Sequence, residues 1–357
     1  MTEVTIRIDA GSYNVVVAPH LIDDLGSIIA KKIAARRCAI ISDSNVAPLF
    51  ADRAKQSLKS AGFESILIAI PAGEQSKTLQ QAGAVCDEMI AAGLDRQSFV
   101  IGLGGGVVGD LSGFVAAIFQ RGIPHVQIPT TLLAMVDSSI GGKTGVNTRD
   151  GKNLLGAVHH PSLVIDDVDL LKSLPRRELN QGFAEIVKHA IIADAEMFGG
   201  LQKGKASDAL ALQQLIKRNI EIKAGIVAKD ELDRTGKRAV LNFGHTVGHA
   251  IERAGNYREH LHGEAISLGM IAAAAISMKK GGLPKDQRDA IVDLLKKFEL
   301  PTKLPAKFSR EKIFSALAHD KKFEGGKVRF VTTSAIGSAR VSSDVTMEDI
   351  REAVNEL

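Results

Sequence analysis

The chain has 357 residues, a length typical of two domains, and 45% of them are hydrophobic although there is no Trp and there are only two Tyr. Its core must therefore be built from aliphatic side chains, as in helix-rich α/β enzymes. The formal charge of +4 is too small, and too evenly spread along the chain, to indicate a nucleic-acid partner.

The sequence carries few marks of an oxidising compartment or of a membrane. Cys38 and Cys86 are isolated and indicate free thiols in a reducing compartment. The first residues lack a basic segment followed by an apolar run, so we expect no signal peptide. No uncharged apolar run approaches the roughly 18 residues of a membrane span. We therefore expect a cytoplasmic enzyme without a membrane partner.

Short apolar segments alternate with helical patterns through the first half of the chain. Residues 4–8 and 13–17 flank a turn and predict a β-hairpin. The further predicted strands are 38–42, 65–70, 98–103, 126–128 and 163–166, and the predicted helices are 21–34, 46–61, a segment ending near 92 and a segment starting near 107. This alternation predicts a parallel, doubly wound sheet.

The pattern changes after Pro175, because residues 176–300 are almost entirely helical in their apolar spacing. This change predicts a domain boundary between about 166 and 180. A final β-hairpin is expected at 328–332 and 339–342, followed by a helix over 347–357 that Thr346 caps.

Polar segments directly follow three of the predicted strands: Asp43–Asn45, Gly73–Lys77 and Gly104–Asp110. In parallel sheets, ligands bind beyond the carboxyl ends of the strands. The third segment, GGGVVGD, opens a helix, and free N–H groups at a helix start bind pyrophosphate. We do not assign it as the Rossmann fingerprint, although Gly104, Gly106 and Gly109 have its offsets. It is not a Walker A loop either, and a tight glycine turn is the alternative. The convergence of three such segments favours phosphate or dinucleotide binding.

Eleven of the 34 glycines fall within residues 101–152. Glycine inside a helix or strand costs about 0.5–1 kcal/mol relative to alanine, so this density indicates close approach of backbone to a ligand. Thr130-Thr131 precede an apolar helical run, where helix capping is the simplest interpretation. In the segment 137–147, DSSIGGKTGVN, Lys143 lies beside glycines and its ammonium could reach a phosphate. A mobile surface loop is the alternative.

Three histidines and one glutamate form the remaining pattern. His245 and His249 are four residues apart and share a helix face. His262 follows at no recognised zinc spacing, and Glu185 lies among apolar residues, where a buried carboxylate needs a partner. Two histidines and one carboxylate leave an open coordination position, as in catalytic zinc sites. Structural histidines are the alternative, and the residues alone leave both interpretations open.

Several long motifs occur in order over nearly the whole chain: AGEQSK, GGGVVGD, PTTLLAMVDSSIGGKTGVN, GFAEIVK, LNFGHTVGHA and LHGE. In these the sequence resembles the 3-dehydroquinate synthase family. The resemblance implies a Rossmann-like α/β NAD-binding domain, here 1–170, and a mainly α-helical metal- and substrate-binding domain, here 171–357. It also implies a homodimer. The chain departs from the family pattern at 230–238, which is one residue longer, and at 17–20, which lacks a glycine turn.

The resemblance assigns roles position by position. The implied ligands of Zn²⁺ or Co²⁺ are Glu185, His245 and His262. The implied NAD-binding residues are Asp43, Glu74, Lys77, Gly105, Gly106, Val107, Val108, Gly109, Asp110, Thr130, Thr131, Lys143, Lys152, Leu170, Leu171, Lys172 and Ser173. The implied catalytic and substrate-binding residues are Arg121, Asp137, Lys143, Asn153, Lys188, Lys223, Arg238, Asn242 and His249. The segment Asp320-Lys321-Lys322 matches a further lysine-bearing segment.

The implied reaction converts 3-deoxy-D-arabino-heptulosonate 7-phosphate into 3-dehydroquinate and phosphate, the second step of the shikimate pathway. Transient oxidation of the C5 alcohol by NAD makes the C6 proton acidic, so that phosphate can leave. The hydride then returns, and ring opening and an aldol closure follow. The metal would act as a Lewis acid at the substrate oxygens. His249 is the implied proton carrier, with a packing role as the alternative.

The basic residues have implied tasks in this scheme. Lys143 and Arg121, with Asn153, would hold the phosphate, and Arg121 would reach the neighbouring subunit's site. Arg238 and Lys223 would hold the carboxylate, since arginine suits a planar anion and lysine a point contact.

Three other functions fit part of this pattern. A related sugar-phosphate cyclase would make an inosose or a valiolone, but Asn242 and the segment 320–322 favour the dehydroquinate enzyme. A polyol dehydrogenase that uses NAD and a metal would accumulate NADH. A nucleotide-binding regulatory protein would not need the glutamate and two histidines.

Overall fold

The computed structural model describes residues 1–9, 11–149, 151–204, 209–318, 323–324 and 327–357. Asp320, Lys321 and Lys322 lie outside the described residues. The chain forms two compact units. The first is Met1–Pro175 with Ser207–Leu232, and the second is Arg176–Ala206 with Asp233–Leu357.

The regular elements are numbered in chain order. The strands are β1 (Thr2–Ile8), β2 (Gly11–Ala18), β3 (Arg37–Asp43), β4 (Glu64–Ile70), β5 (Phe99–Gly104), β6 (His125–Pro129), β7 (Lys143–Thr148), β8 (Gly151–Val158), β9 (Leu163–Asp167), β10 (Phe323–Glu324), β11 (Lys327–Val328), β12 (Phe330–Ala335) and β13 (Ser338–Ser342). The α-helices are α1 (Leu25–Ala30), α2 (Ala47–Ser60), α3 (Leu79–Ala91), α4 (Gly106–Ile118), α5 (Arg176–Ala193), α6 (Ala195–Lys203), α7 (Ala209–Val227), α8 (His245–Ala254), α9 (His262–Ile276), α10 (Lys285–Lys297), α11 (Arg310–Ala318) and α12 (Met347–Asn355).

The first unit is built on a seven-stranded sheet in the order β1-β2-β9-β6-β5-β3-β4. Strands β1 and β2 form an antiparallel hairpin, and the other neighbouring pairs are parallel. The predicted hairpin and the predicted parallel sheet are both confirmed. Helix α7 belongs to this unit, since Gln213 donates hydrogen bonds to Thr2 Oγ1 at 3.1 Å and to the Val17 carbonyl at 3.0 Å.

Apolar side chains cover both faces of this sheet, which explains why its inner strands are hydrophobic without a break. On one face Ile40 packs in a cluster with Leu58 of α2. On the other face Ile41 packs in a cluster with Leu111 of α4. Strands β3 and β5 end at Asp43 and Gly104, so the polar segments that follow them lie at the same edge of the sheet.

Packing accounts for part of the glycine density in this region. A Cβ on Gly104 would lie 2.6 Å from Val108 Cγ2, which is too close. The tight turn from β5 into α4 therefore requires a residue without a side chain at position 104. The close approach here is to the protein's own helix. Ligand binding is therefore not needed to explain this glycine.

The hairpin of β7 and β8 was not predicted. Its strands pair antiparallel, with Lys143 opposite Val158, in a segment for which we predicted no strand. The glycines and small polar residues of 141–148 hide the alternation of apolar and polar residues that marks a strand. Strand β8 is largely exposed and buries little apolar surface, so its sequence shows no clear alternation either. Lys143 is thus the first residue of a strand.

The second unit is mainly helical, as predicted for residues after 175. The final hairpin is confirmed, with β12 and β13 spanning residues 330–342. Helix α12 is also confirmed, and Thr346 caps it by accepting a hydrogen bond from the Asp349 amide at 3.2 Å. Among the described residues, no helix has the length and apolar character needed to cross a membrane.

Helices α8 and α9 pack backbone against backbone. A Cβ on Gly269 of α9 would lie 1.9 Å from the Gly244 carbonyl oxygen, and Gly244 itself has φ 78°. A side chain at either position would separate the two helices or strain the backbone. This contact holds the start of α8, which is His245, beside α9, which begins at His262.

Candidate functional site

Glu185, His245 and His262 converge inside the second unit. They come from α5 and from the first residues of α8 and α9. Glu185 is fully buried, and each of the three offers a ligand atom within 4.8 Å of the others. Glu185 Oε1 lies 3.5 Å from His245 Nε2 and 3.6 Å from His262 Nε2.

The other ring nitrogen of each histidine has a hydrogen-bond acceptor. His245 Nδ1 lies 3.2 Å from the Phe243 carbonyl, and His262 Nδ1 lies 3.3 Å from Glu252 Oε2. Because a carbonyl can only accept, Nδ1 of His245 carries the hydrogen and its Nε2 is left with a free lone pair. The same tautomer at His262 would direct both lone pairs towards Glu185.

The charges around this cluster are strongly coupled. Burial opposes the charge of Glu185, but Lys188 and His245 outweigh it and hold the pKa of Glu185 well below its usual range. Burial, and then the charge of Lys188, lower the pKa of His245 well below its usual value. Burial disfavours the charged form of His262, yet the nearby carboxylates of Glu185 and Glu252 raise its pKa to about 10.

The cluster fits a tetrahedral divalent cation. Ligand atoms at about 2.1 Å from zinc in a tetrahedron lie about 3.4 Å apart, close to the observed separations from Glu185 Oε1. This oxygen is buried and has no hydrogen-bond partner among the described residues. A buried carboxylate oxygen without a partner is costly, and a cation would remove that cost. Two imidazoles and one carboxylate form a common zinc donor set.

Four further predicted residues lie in the second unit. Lys188 is buried one helical turn after Glu185 and forms a close ion pair with it. His249 is exposed on α8, with its ring 5.2 Å from that of His245. Arg238, which is buried, and Asn242 lie on the 3-10 turn Lys237–Asn242 just before α8.

In the first unit, the strand-end residues line one edge of the sheet. Asp43 ends β3, and its Oδ1 accepts hydrogen bonds from the amides of Asn45 at 2.8 Å and Val46 at 3.0 Å. Helix α4 begins at Gly106, so its first amides follow the end of β5 directly. The predicted cofactor-binding residues at this helix start are Gly105, Gly106, Val107, Val108, Gly109 and Asp110.

Lys77 links two of the predicted positions. Its ammonium contacts both Asp110 of α4 and Asn153 Oδ1 of β8, and it is only 3% exposed. Burial raises the pKa of Asp110, although the positive charge of Lys77 opposes that shift. Asp110, predicted to bind the cofactor, and Asn153, predicted to bind the substrate, thus both contact the Lys77 ammonium.

Asn147 fixes the same region from the β7 side. Its Nδ2 donates to Glu74 Oε1 at 2.7 Å, and its Oδ1 accepts from the Asn153 amide at 3.0 Å. Its own amide donates to the Lys77 carbonyl at 2.7 Å. Asn147 therefore ties the loop after β4 to the hairpin that carries Asn153.

Asp137 and Lys223 also meet in the first unit. Lys223 of α7 is buried, and its ammonium lies 2.6 Å from Asp137 Oδ1 and 2.7 Å from the Asp137 carbonyl. Thr131 accepts a hydrogen bond from the Ala134 amide at 3.1 Å, as expected for a helix cap. Thr130 is buried, and its hydroxyl has no hydrogen-bond partner among the described residues.

The remaining predicted residues are more scattered. Lys143 and Arg121 are exposed, Lys152 is partly exposed, and Arg121 has φ 69°. The segment 170–173 lies in the 3-10 turn Val168–Ser173. Leu170 and Leu171 are buried, and Leu170 belongs to the sheet core, so their side chains serve packing. Only their backbone could reach a ligand.

Comparison with known proteins gives the family. The model of the 3-dehydroquinate synthase N-terminal domain matches residues 67–181, and that of the C-terminal domain matches residues 182–323. A 3-dehydroquinate synthase from Desulforamulus reducens is 44% identical over 358 residues, which cover 99% of each chain.

The chain belongs to the 3-dehydroquinate synthase family.

Solved structures of sugar-phosphate cyclases share the fold. A 2-deoxy-scyllo-inosose synthase, solved with carbaglucose-6-phosphate, NAD⁺ and Co²⁺, is 27% identical with a TM-score of 0.90, covering 99% of each chain. A 2-epi-5-epi-valiolone synthase from Streptomyces hygroscopicus, solved with NAD⁺ and Zn²⁺, is 31% identical with a TM-score of 0.88. That match covers 98% of this chain and 97% of the other. The predicted fold class, a Rossmann-like α/β part followed by a mainly helical part, is confirmed.

Two residues of these clusters were missed in the sequence. Asn147 ends the polar segment 137–147, but nothing in its spacing shows that it forms hydrogen bonds with Glu74 and Asn153. Glu252 follows His245 by seven residues, two helical turns, and therefore lies on the same helix face. A carboxylate at that spacing from a candidate metal ligand was a signal that could have been used.

Proposed function

We propose that this chain is a 3-dehydroquinate synthase, which converts 3-deoxy-D-arabino-heptulosonate 7-phosphate into 3-dehydroquinate and phosphate. The observation that carries the proposal is the 44% identity to a 3-dehydroquinate synthase over the full chain, against 27% and 31% to the two cyclases of other specificity. The buried Glu185 and His245, with the half-buried His262, would supply the metal site that this chemistry needs.

The proposed enzyme uses NAD and a divalent cation, Zn²⁺ or Co²⁺. When bound, NAD supplies a reversible hydride acceptor, and the cation supplies a Lewis acid for the substrate oxygens. Glu185, His245 and His262 would hold the cation. Three protein ligands leave one coordination position for substrate.

The first unit would bind the nucleotide. The amides at the start of α4 suit the pyrophosphate, since they combine unpaired donors with the positive end of the helix dipole. Asp43 and Glu74 are carboxylates at neighbouring strand ends and would accept hydrogen bonds from ribose hydroxyls. Lys77 forms an ion pair with Asp110 there and so reduces the repulsion between this carboxylate and the cofactor phosphates.

The substrate's anionic ends call for cations at separate places. Lys143 on β7 and Asn153 on β8 would bind the phosphate, and Arg121 of a second copy would complete this contact in a homodimer. Arg238 would bind the carboxylate in a bidentate fashion. Lys223 would assist it, because Asp137 already holds its ammonium in place at 2.6 Å.

Proton transfer needs a group that can take up and release a proton beside the substrate. His249 is the candidate, since it is exposed one turn after His245. An imidazole suits this work because its ordinary pKa lies near neutral pH. Lys188 would balance the negative charge of Glu185 rather than carry protons, as it is almost fully buried against that carboxylate.

A related sugar-phosphate cyclase is the second candidate, favoured by the TM-score of 0.90 to the inosose synthase. A phosphate-release assay with the heptulosonate phosphate separates the two, because a cyclase with a different substrate would leave this compound intact. We expect stoichiometric phosphate with no net NADH, loss of activity in a chelator and recovery with zinc. Net NADH from an alcohol would instead identify a dehydrogenase.

A further inference from the structure

Glu252 is a buried carboxylate to which the proposed reaction gives no task. It lies on α8, is 3% exposed, and its Oε2 lies 3.3 Å from His262 Nδ1. Burying a carboxylate is costly unless it interacts with a hydrogen-bond donor or a positive charge. Most of its neighbours on α8, such as Val247 and Ile251, are buried and apolar. A carboxylate kept in such a place points to a role for its contact with the histidine.

The two ring nitrogens of His262 face different partners. Nε2 faces Glu185 Oε1 at 3.6 Å, on the side of the proposed metal, and Nδ1 faces Glu252. A metal ion takes the place of one ring proton, so the bound imidazole keeps a single N–H, and the hydrogen bond at one nitrogen decides which nitrogen is left for the metal. A carboxylate only accepts, so Glu252 selects the tautomer with hydrogen on Nδ1.

We propose that Glu252 is a positioning residue for the metal site: it holds the ring of His262 and fixes the tautomer that directs the Nε2 lone pair towards the ion. This inference rests on the metal site of the proposed function. His245 has the same device in another form, because the Phe243 carbonyl accepts from its Nδ1 at 3.2 Å. Carboxylate–histidine–zinc arrangements of this kind commonly contribute a factor of 10 to 100 in metal affinity.

A second arrangement competes with this one. His249, Glu252 and His262 also offer three ligand atoms within 4.8 Å of one another. If they held an ion of their own, His262 would have to bind two ions through its two nitrogens, and a neutral imidazole has only one lone pair. The positioning role explains the contact between Glu252 and His262 with a single bound ion. The number of ions bound per chain therefore distinguishes a positioning role of Glu252 from a second metal site.

Zinc affinity of the metal-stripped full chain tests the proposal, measured by competition with a chromogenic chelator. Glu252→Met and Glu252→Gln have similar size, but only Gln keeps an acceptor for Nδ1–H. We expect about 10- to 100-fold weaker zinc binding for Glu252→Met and a smaller loss for Glu252→Gln. Glu352→Gln, which removes an exposed carboxylate from α12 in the same unit, should bind zinc as the unchanged protein does.

The outcomes separate this inference from the proposed function. Wild-type affinity in Glu252→Met, with one zinc per chain, would overturn the positioning role while leaving the metal site intact. Two zinc ions per chain, reduced to one of unchanged affinity by Glu252→Met, would also overturn it, since Glu252 would then be a ligand. If Glu252→Met does not fold, Glu252→Leu, which also lacks an acceptor, takes its place, and unchanged zinc affinity in that variant counts against the role. No zinc binding by the unchanged protein, or by contrast full binding by Glu185→Ala, would refute the metal site itself.

Discussion

Replacing Lys188 by methionine removes a buried positive charge beside the candidate metal site. Lys188 is 1% exposed and forms a close ion pair with Glu185, which is 0% exposed. Methionine fills much of the same volume without the charge, so the change acts mainly through electrostatics. The second oxygen of Glu185, Oε1, has no hydrogen-bond partner among the described residues. Loss of Lys188 therefore removes the closest positive charge from a buried carboxylate.

The magnitude depends on whether zinc is present. Removing one partner of a buried ion pair typically costs about 3–5 kcal/mol. A bound cation would supply the missing positive charge to Glu185, so the cost should fall by about 2 kcal/mol or more when zinc is bound. By linkage, the variant should then bind zinc more tightly than the unchanged protein, by roughly thirtyfold for 2 kcal/mol.

Urea unfolding followed by far-ultraviolet circular dichroism measures this effect, since the chain has no Trp to report it. We expect a large decrease of the unfolding midpoint for Lys188→Met in a chelator and a much smaller decrease in excess zinc. Lys279→Met is the matched control, because Lys279 forms an exposed ion pair with Glu352 in the same unit. Its midpoint should hardly move in either condition.

The reasoning would be refuted by an equal loss of stability with and without zinc, because the cation would then not be compensating Glu185. A loss in chelator no larger than that of Lys279→Met would also refute it. Weaker zinc binding by Lys188→Met would contradict the linkage directly.

Three further results are expected. Lys143→Ala should lose roughly 3 kcal/mol or more of transition-state stabilisation, seen in kcat/KM for the phosphate substrate, and unchanged turnover beside a Lys59→Ala control would exclude the phosphate role. Burial, and then neighbouring histidine charges, lower the pKa of His125 to about 3. The unfolded chain therefore takes up a proton below about pH 6.5 that the folded chain takes up only near pH 3. The free energy of unfolding should thus decrease as the pH is lowered, by up to about 1.4 kcal/mol per pH unit. His125→Phe should flatten this dependence between pH 7 and 4.5 in urea unfolding, and an unchanged slope would exclude it. Burial raises the pKa of Cys38 to about 12, so an aromatic disulfide reagent should label at most Cys86 in the folded protein and both thiols in urea; rapid labelling of both would contradict the buried position.

The sheet was predictable because its signals are local. Alternating polarity marked β1 and β2, and short apolar runs bounded by turns marked the inner strands. The polar segments after β3 and β5 could be placed at one edge because parallel strands share their carboxyl ends. The hairpin of β7 and β8 escaped prediction, since glycines replace the side chains that would have shown its period.

The sequence predicted which residues belong to the candidate site, but not which of them are in contact. The spacing of His245 and His249 predicted one helix face, but the residues alone did not choose between a metal site and structural histidines. Glu185 lies 60 residues before His245 and 77 before His262, and only the packing of α9 against both α5 and α8 shows that the three side chains meet. No sequence pattern shows that Lys77 contacts Asn153.

The most direct test of the proposed function is the product made from 3-deoxy-D-arabino-heptulosonate 7-phosphate with catalytic NAD and zinc. We expect nuclear magnetic resonance to show 3-dehydroquinate forming in step with inorganic phosphate, with NAD unchanged at the end. Unreacted substrate under these conditions, a carbocycle of the inosose or valiolone type, or accumulation of NADH would contradict the assignment.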